Sequence, residues 1–296
     1  MSVEIRHPGF KEVVGESVEF EQLGSGFLFT EGPLWHAAEQ ALLFSDMPGD
    51  EIRRWSAKDG VVSFRKPSHK ANGLAWDLGG RLLACEHATS RVTRTERDGT
   101  ITTLASHHDG KELNSPNDIV VKSDGAIYFT DPIYGRVEFY GVPRASELGF
   151  QGVYRLEPDG KTLRLLLQDF GQPNGLCFSS DEKRLFINDT ERQHIRLFEV
   201  GADGGLDAGR VWAQTTGEGG GAPDGMKIDS AGNLYCCGPG GIHVFDPTGV
   251  CLGVIRVPEG TANFNWGDSD YRSLFITAST SLYRIRVRIP GRPSPV

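Results

Sequence analysis

The 296-residue sequence lacks the features that identify several large classes of protein. It has no basic excess: Lys plus Arg is 31 and Asp plus Glu is 39, for a formal net charge of −8. Nucleic-acid-binding domains normally present a basic face, so the composition argues against one. No stretch approaches the ~18 consecutive apolar residues of a membrane span. The start, MSVEIRHP, has no apolar core of a signal peptide, so we expect a cytoplasmic protein.

Cysteine is also scarce, with five residues, an odd number, and no C-x-x-C spacing. This argues against a disulfide framework and against a zinc-finger site. The common hydrolase signatures G-x-S-x-G and H-E-x-x-H do not occur either. Gly160-Lys161-Thr162 resembles the end of a phosphate-binding loop, but Arg155 stands where that motif needs its first glycine.

What the sequence does contain is one pattern repeated six times. Each copy has a polar head, a short apolar stretch, a polar turn and a second apolar run. The copies are EGPLWHAAEQALLFSD, NGLAWDLGGRLLACE, NDIVVKSDGAIYFTD, NGLCFSSDEKRLFIND, DGMKIDSAGNLYCCG and NFNWGDSDYRSLFIT, beginning at residues 31, 72, 117, 174, 224 and 263.

The spacing of the copies predicts the fold. Successive heads are 41, 45, 57, 50 and 39 residues apart, and short strands at such a period are typical of a β-propeller. We therefore predict an all-β fold, a six-bladed β-propeller, as a single domain over residues 1–296. The alternating stretch at about 18–23 is expected to pair with the last blade, near 282–289, and close the ring.

The polar heads predict a site. The first strand of each propeller blade lines the central channel, so equivalent residues meet near the axis. All six heads carry oxygen: Glu31, Asn72, Asn117, Asn174, Asp224 and Asn263. Such oxygens suit hard divalent cations, Ca²⁺ above all, and the lack of thiols and imidazoles disfavours zinc or copper. The alternative is that the heads only cap inner strands, as Asn-Gly does in ordinary turns. The shared register favours a central-channel metal site.

Several motifs also resemble those of a known family. They are EGPLW from Glu31, LNSPND ending at Asp118, TDPIYG from Thr130, QPNGL around Asn174 and PDGM around Asp224. Together they resemble the SMP-30/gluconolactonase/LRE family, and its bacterial gluconolactonase branch most closely. The resemblance implies a six-bladed propeller with a divalent metal, usually Ca²⁺, with Mg²⁺, Mn²⁺ or Zn²⁺ as alternatives. It also implies lactonase activity, or organophosphate hydrolysis as in some branches.

Carried over position by position, the resemblance implies Glu31, Asn174 and Asp224 as metal ligands. Asn117 is implied as a fourth ligand or as a contact to substrate or water. Asp224 and Asn117 are thus the candidate catalytic residues. Ser115 departs from the pattern, because the animal branch has Arg there, and this leaves the preferred lactone open.

Four residues are candidate substrate contacts: Asn72, His87, Asp131 and Tyr134. His87 follows its head by 15 residues, near the end of a second strand, and either faces the channel or is a packed or surface residue. Asp131 and Tyr134 follow the second strand of the third copy and are expected at the channel rim.

Two loops and two tryptophans complete the sequence-based expectations. Residues 133–150 and 214–223 break the repeat and either build the rim of a binding site or are surface insertions. Trp35 and Trp76 are expected to pack between blades.

The favoured hypothesis is a metal-dependent hydrolase that opens glucono-1,5-lactone or a related aldonolactone. A cation would polarise the carbonyl, and Asp224 would act as base on the attacking water or as nucleophile. The alternatives are a phosphotriesterase-like hydrolase at the same site and a non-enzymatic propeller that binds a partner. The expected partner is a small-molecule lactone, without nucleic acid or membrane, for a monomer or homodimer.

Overall fold

The computed structural model describes residues 2–293, which are mostly β-strand and connecting turns. The helical elements of this range are α1 (Gly9–Val13) and a 3₁₀ turn (Tyr134–Arg136). The strands are β1 (Val3–Ile5), β2 (Glu21–Ser25), β3 (Thr30–His36), β4 (Ala41–Asp46), β5 (Glu51–Ser56), β6 (Gly60–Arg65), β7 (Ala71–Trp76), β8 (Leu82–Glu86), β9 (Arg91–Thr95), β10 (Ile101–Ala105), β11 (His107–His108), β12 (Lys111–Glu112), β13 (Ile119–Val121), β14 (Ile127–Asp131), β15 (Gly152–Leu156), β16 (Leu163–Leu167), β17 (Pro173–Phe178), β18 (Arg184–Asp189), β19 (His194–Glu199), β20 (Arg210–Gln214), β21 (Met226–Ile228), β22 (Leu234–Gly238), β23 (Gly241–Phe245), β24 (Cys251–Ile255), β25 (Thr261–Gly267), β26 (Ser273–Ala278) and β27 (Ser281–Arg286).

Six antiparallel sheets form the blades of a ring. From the innermost strand outwards they are β3–β4–β5–β6, β7–β8–β9–β10, β13–β14–β15–β16, β17–β18–β19–β20, β21–β22–β23–β24–β1 and β25–β26–β27–β2. Each innermost strand contacts the innermost strand of the next blade, and β25 contacts β3, so the ring is closed. The predicted all-β, six-bladed β-propeller is confirmed. Within residues 2–293, no helix has the length and apolar character needed to cross a membrane.

The N-terminal segment supplies the outer strand of the sixth blade. This strand, β2, pairs with β27 from Glu21 opposite Arg284 to Ser25 opposite Ser281. It lies slightly later than the alternating stretch at 18–23. The reason is that Val18 and Phe20 pack onto the core beside the blade, with the Phe20 ring edge-on to Tyr283 at 6.0 Å. The alternation therefore reflects packing as well as pairing.

Aromatic side chains fill the spaces between blades. Trp35 of the first blade stacks on Phe275 of the sixth, with ring centroids 5.1 Å apart. Trp76 of the second blade donates from its indole nitrogen to the Trp35 carbonyl at 3.0 Å. Both tryptophans thus pack between blades, as predicted, and fix how neighbouring innermost strands approach the channel.

Candidate functional site

The repeated polar heads occupy irregular points of the innermost strands. Pairing shifts register beside the heads of four blades, between Glu31 and Leu34, Ala71 and Leu74, Pro173 and Leu176, and Thr261 and Asn263. The other two heads, Asn117 and Asp224, lie two residues before the first residues of β13 and β21. Such irregularities re-aim side chains.

The glycine that follows a head has a packing reason. A Cβ built on Gly32 would lie 2.0 Å from the carbonyl oxygen of Asn72, the head of the next blade. At Gly73 the corresponding contact is the Asn117 carbonyl at 2.4 Å, and at Gly175 it is the Asp224 carbonyl at 2.2 Å. The repeated head-glycine pair therefore lets each head lie directly against its neighbour's backbone.

The head amides form a hydrogen-bonded arc. Asn72 Nδ2 donates to Asn117 Oδ1 at 2.7 Å, and Asn117 Nδ2 donates to Asn174 Oδ1 at 2.6 Å. Asn174 Nδ2 in turn donates to the Thr190 hydroxyl at 3.1 Å. On another part of the ring, Asn263 Nδ2 donates to Glu31 Oε2 at 3.0 Å. These bonds fix the orientation of the amide groups.

Three carboxylates share the channel. Burial, and to a smaller extent the nearby charge of Asp118, raise the pKa of Glu31 to about 7. Burial and the negative charge of Glu31 also hold the pKa of Asp224 well above its usual range. The pKa of Asp118 is raised by its burial, which the positive charge of Lys227 opposes. Lys227 also donates to Asn263 Oδ1 at 3.2 Å.

The donor set fits a divalent cation. When ionised, the three carboxylates carry three negative charges, and Lys227 returns one positive charge, so the surplus of two matches a dication. Among residues 2–293, no three His, Cys, Asp or Glu side chains are grouped as a metal site would require. A cation would therefore need amide oxygens beside the carboxylates, a combination that suits a hard cation. Asn72 Oδ1 and Asp118 Oδ2 are buried in the channel wall without a hydrogen-bond partner.

Above the heads lies a cavity of about 240 Å³. Seven of the eight predicted site residues line it: Glu31, Asn72, His87, Asn117, Tyr134, Asn174 and Asp224. Both loops that break the repeat contribute to its wall, with Tyr134 and Tyr140 from 133–150 and with Ala222 and Pro223 next to Asp224.

His87 is buried between two oxygens. Its Nε2 lies 3.0 Å from Asn117 Oδ1 and its Nδ1 lies 3.2 Å from the Tyr140 carbonyl. A neutral imidazole has one N–H and can donate to only one of them. Both contacts favour the charged form, yet burial dominates and lowers the pKa of His87 to about 4. His87 is therefore neutral at pH 7, and one of its two ring nitrogens faces an oxygen without a proton between them.

Asp131 is the predicted site residue that the structure places outside the cavity. It is fully buried at the end of β14, where its two oxygens accept from the backbone N–H groups of Asn114 and Ser115, each at 2.8 Å. Burial raises its pKa to about 7. Asp131 thus holds the segment leading to Asn117, and so does Ser115, whose hydroxyl accepts from Gly135 N at 2.9 Å.

Sequence reasoning missed several cavity residues. Phe29, Thr190 and Tyr140 line the wall but lie outside the repeated heads. Asp118, which is buried beside the cavity without lining it, had a signal, because it follows Asn117 where four of the other five heads are followed by glycine. Thr190 had none, since its role depends on accepting from Asn174, 16 residues away.

Comparisons with known proteins agree on one family. Residues 29–280 match the description "SMP-30/Gluconolactonase/LRE-like region". A gluconolactonase of Zymomonas mobilis is 32% identical over 309 aligned residues, covering 96% of this chain and 85% of its own. The pentonolactonase XacC of Haloferax volcanii is 27% identical and covers 89% of this chain and 92% of its own. The structure of a gluconolactonase from Xanthomonas campestris superposes with a TM-score of 0.89 at 34% identity, covering 97% and 95% of the two chains.

Proposed function

The chain belongs to the SMP-30/gluconolactonase/LRE-like family and is a lactone hydrolase, and on this premise we propose that it opens aldonolactones at the central channel. Glucono-1,5-lactone is the first candidate substrate, in keeping with the gluconolactonase relatives, and a pentonolactone is the second, in keeping with the relative of that name. The product is the open-chain sugar acid.

One observation carries the proposal: carboxylates and carboxamides from five blades face a single small cavity. Its volume of about 240 Å³ lies just below the roughly 300–1,000 Å³ typical of drug-sized ligands and suits a monosaccharide. Its wall combines hydrogen-bonding groups for sugar hydroxyls with the aromatic rings of Phe29, Tyr134 and Tyr140.

The residues that would hold a divalent cation are Glu31, Asn174 and Asp224, with Asn117 as a fourth. When bound there, the cation supplies polarisation of the lactone carbonyl and neutralises the buried carboxylates. Ca²⁺ is the preferred candidate because the donors are all oxygens.

Asp224 is the proposed general base. It takes a proton from the water that attacks the lactone carbonyl carbon, and as the C–O bond of the ring breaks this proton passes to the departing ring oxygen, which becomes a hydroxyl. Asn117, held by Asn72 on one side and Asn174 on the other, orients the reacting groups. Tyr134 keeps its phenol proton because burial raises its pKa, so it donates a hydrogen bond to the substrate or to the departing ring oxygen.

Steady-state kinetics of Asp224→Asn test this role. Asparagine keeps the shape of the side chain but cannot accept the proton, so kcat should fall on the order of 100-fold or more. Asp109→Asn, at a carboxylate that is 88% exposed, is the matched control and should leave kcat unchanged. An undiminished kcat of Asp224→Asn, with the product confirmed as the sugar acid by NMR, would show that Asp224 is not the general base.

A further inference from the structure

Lys70, which precedes the innermost strand of the second blade, binds the loop between β14 and β15, and Arg144 of that loop also donates to the carbonyl of His87 in this blade. The ammonium of Lys70 donates to the backbone carbonyls of Glu138 at 2.9 Å, Phe139 at 3.1 Å and Gly141 at 3.1 Å. Its three N–H groups are therefore all used. In the part of the chain that the structure describes, Lys70 has no carboxylate within ion-pair distance. Its charge serves the loop backbone instead.

Lys70 is itself held rigidly. Its backbone has a left-handed conformation, with φ of +52°, which few residues other than glycine adopt. Its N–H donates to Asp50 Oδ1 at 2.9 Å, and its carbonyl accepts from His87 N at 3.1 Å. The lysine thus links two anchored points of the scaffold to the loop.

What the lysine holds in place is Tyr140. This residue lies between two of the carbonyls that Lys70 binds, and its own carbonyl contacts His87 Nδ1. Its ring lies edge-on to Phe29 at 5.5 Å, and both rings line the cavity. The loop folds tightly here, since a Cβ on Gly141 would lie 1.8 Å from the Gly135 carbonyl oxygen.

We propose that Lys70 is a positioning residue for substrate, and that the Phe29–Tyr140 pair it holds is the wall on which the C–H face of a lactone ring packs. The inference rests on the proposed function and names the part of the site that recognises the ring. Sugar rings present an apolar face as well as hydroxyls, and an aromatic wall offers that face contact area at a fixed position. Without the three hydrogen bonds from Lys70, the two aromatic rings remain but lose their fixed position. Substrate affinity should therefore fall more than the rate of the chemical step.

The test compares Lys70→Met with Lys66→Met. Methionine keeps the length of the side chain and removes all three donors. Lys66 lies near Lys70 in the chain, with its side chain 60% exposed, and serves as the matched control. Hydrogen exchange of backbone amides in 135–142 should be about tenfold faster in Lys70→Met. KM for the aldonolactone should rise about tenfold, with kcat within about twofold of wild type. Lys66→Met should change neither.

Tyr140 variants test the wall itself. Tyr140→Phe keeps the ring and should bind substrate like wild type, whereas Tyr140→Ala should raise KM as Lys70→Met does. Faster exchange with an unchanged KM would refute a role of Lys70 in substrate binding. Unchanged exchange would refute its role in holding the loop. A wild-type protein that is inactive on every aldonolactone would instead refute the proposed function, and with it the role of Phe29 and Tyr140 in binding the lactone ring. Hydrogen exchange would still test whether Lys70 holds the loop.

Discussion

Replacing Glu31 by glutamine should stabilise the cation-free protein and abolish its stabilisation by a divalent cation. In the cation-free protein, Glu31 is a buried carboxylate near Asp118 and Asp224, and its pKa is raised to about 7. Glutamine removes one of these charges while keeping a similar shape and an oxygen that can accept from Asn263. The cation-free Glu31→Gln protein should therefore be more stable than wild type at pH 8.

The pH profile shows the sign of the effect. A carboxyl whose pKa rises from 4.5 to about 7 on folding binds protons more tightly when folded. Its contribution to stability is therefore complete below pH 4.5 and is lost as the pH rises towards 7, with a slope of at most about 1.4 kcal/mol per pH unit. The difference in unfolding free energy between wild type and Glu31→Gln should develop across this window and stay constant above it.

A bound cation should stabilise wild type but not Glu31→Gln. A ligand at 100 times its Kd stabilises the folded state by about 2.7 kcal/mol. At roughly 2 °C per kcal/mol for a chain of this size, wild-type Tm should rise by roughly 5 °C. Losing one unit charge about 4 Å from the cation, at an effective dielectric constant of about 20, costs about 4 kcal/mol, more than the whole gain. Glu31→Gln should thus show no shift at the same Ca²⁺ concentration.

Differential scanning calorimetry measures Tm of both proteins in four conditions: at pH 5 and at pH 8, each with EDTA or with Ca²⁺. Glu19→Gln, at an exposed carboxylate, is the control and should follow wild type in each. A Glu31→Gln protein that is less stable than wild type in EDTA at pH 8, yet gains the full Ca²⁺ shift, would refute the charge argument.

Two further predictions concern the same channel. Lys227→Met should bind Ca²⁺ roughly tenfold more tightly in calorimetric titration, because the substitution removes a positive charge from the channel. The variant should also have a lower Tm in EDTA. Weaker Ca²⁺ binding would contradict this account of the lysine charge. Gly175→Ala should lower kcat/KM at least about tenfold and destabilise the fold by about 1–3 kcal/mol, because the added methyl group would clash with the Asp224 carbonyl. The control is Gly220→Ala, whose methyl group would meet no atom within 4 Å. This control should match wild type in activity and in chemical denaturation.

The blade pattern was readable from the sequence because it has a local cause. A head residue and the glycine after it are adjacent in the chain, and the glycine is needed wherever a neighbouring backbone lies against it, as Gly73 lies against Asn117. Four such pairs and two heads without the glycine recur at similar spacing, and together they predicted both the ring and the residues that meet at its axis. Strands as short as β1, with three residues, lack enough alternation to be seen in this way.

The rim was harder to predict because its contacts join distant parts of the chain. Asp131 follows a strand, as a site residue would, but its carboxylate turns to the N–H groups of Asn114 and Ser115, 17 and 16 residues earlier. Lys70 binds the carbonyls on either side of Tyr140 across about 70 residues, and lysine–carbonyl contacts leave no pattern in a single sequence. The position of each side chain there depends on tertiary packing.

Proton release from glucono-1,5-lactone, corrected for spontaneous hydrolysis, tests the central claim most directly. The protein would be assayed as purified, after EDTA treatment, and after return of Ca²⁺, Mg²⁺, Mn²⁺ or Zn²⁺, with Asp224→Asn in parallel. We predict activity that EDTA abolishes and Ca²⁺ restores in the wild type alone. Hydrolysis at the spontaneous rate with every ion, or activity that neither EDTA nor the Asp224→Asn substitution lowers, would contradict a cation-dependent aldonolactonase that works through this channel.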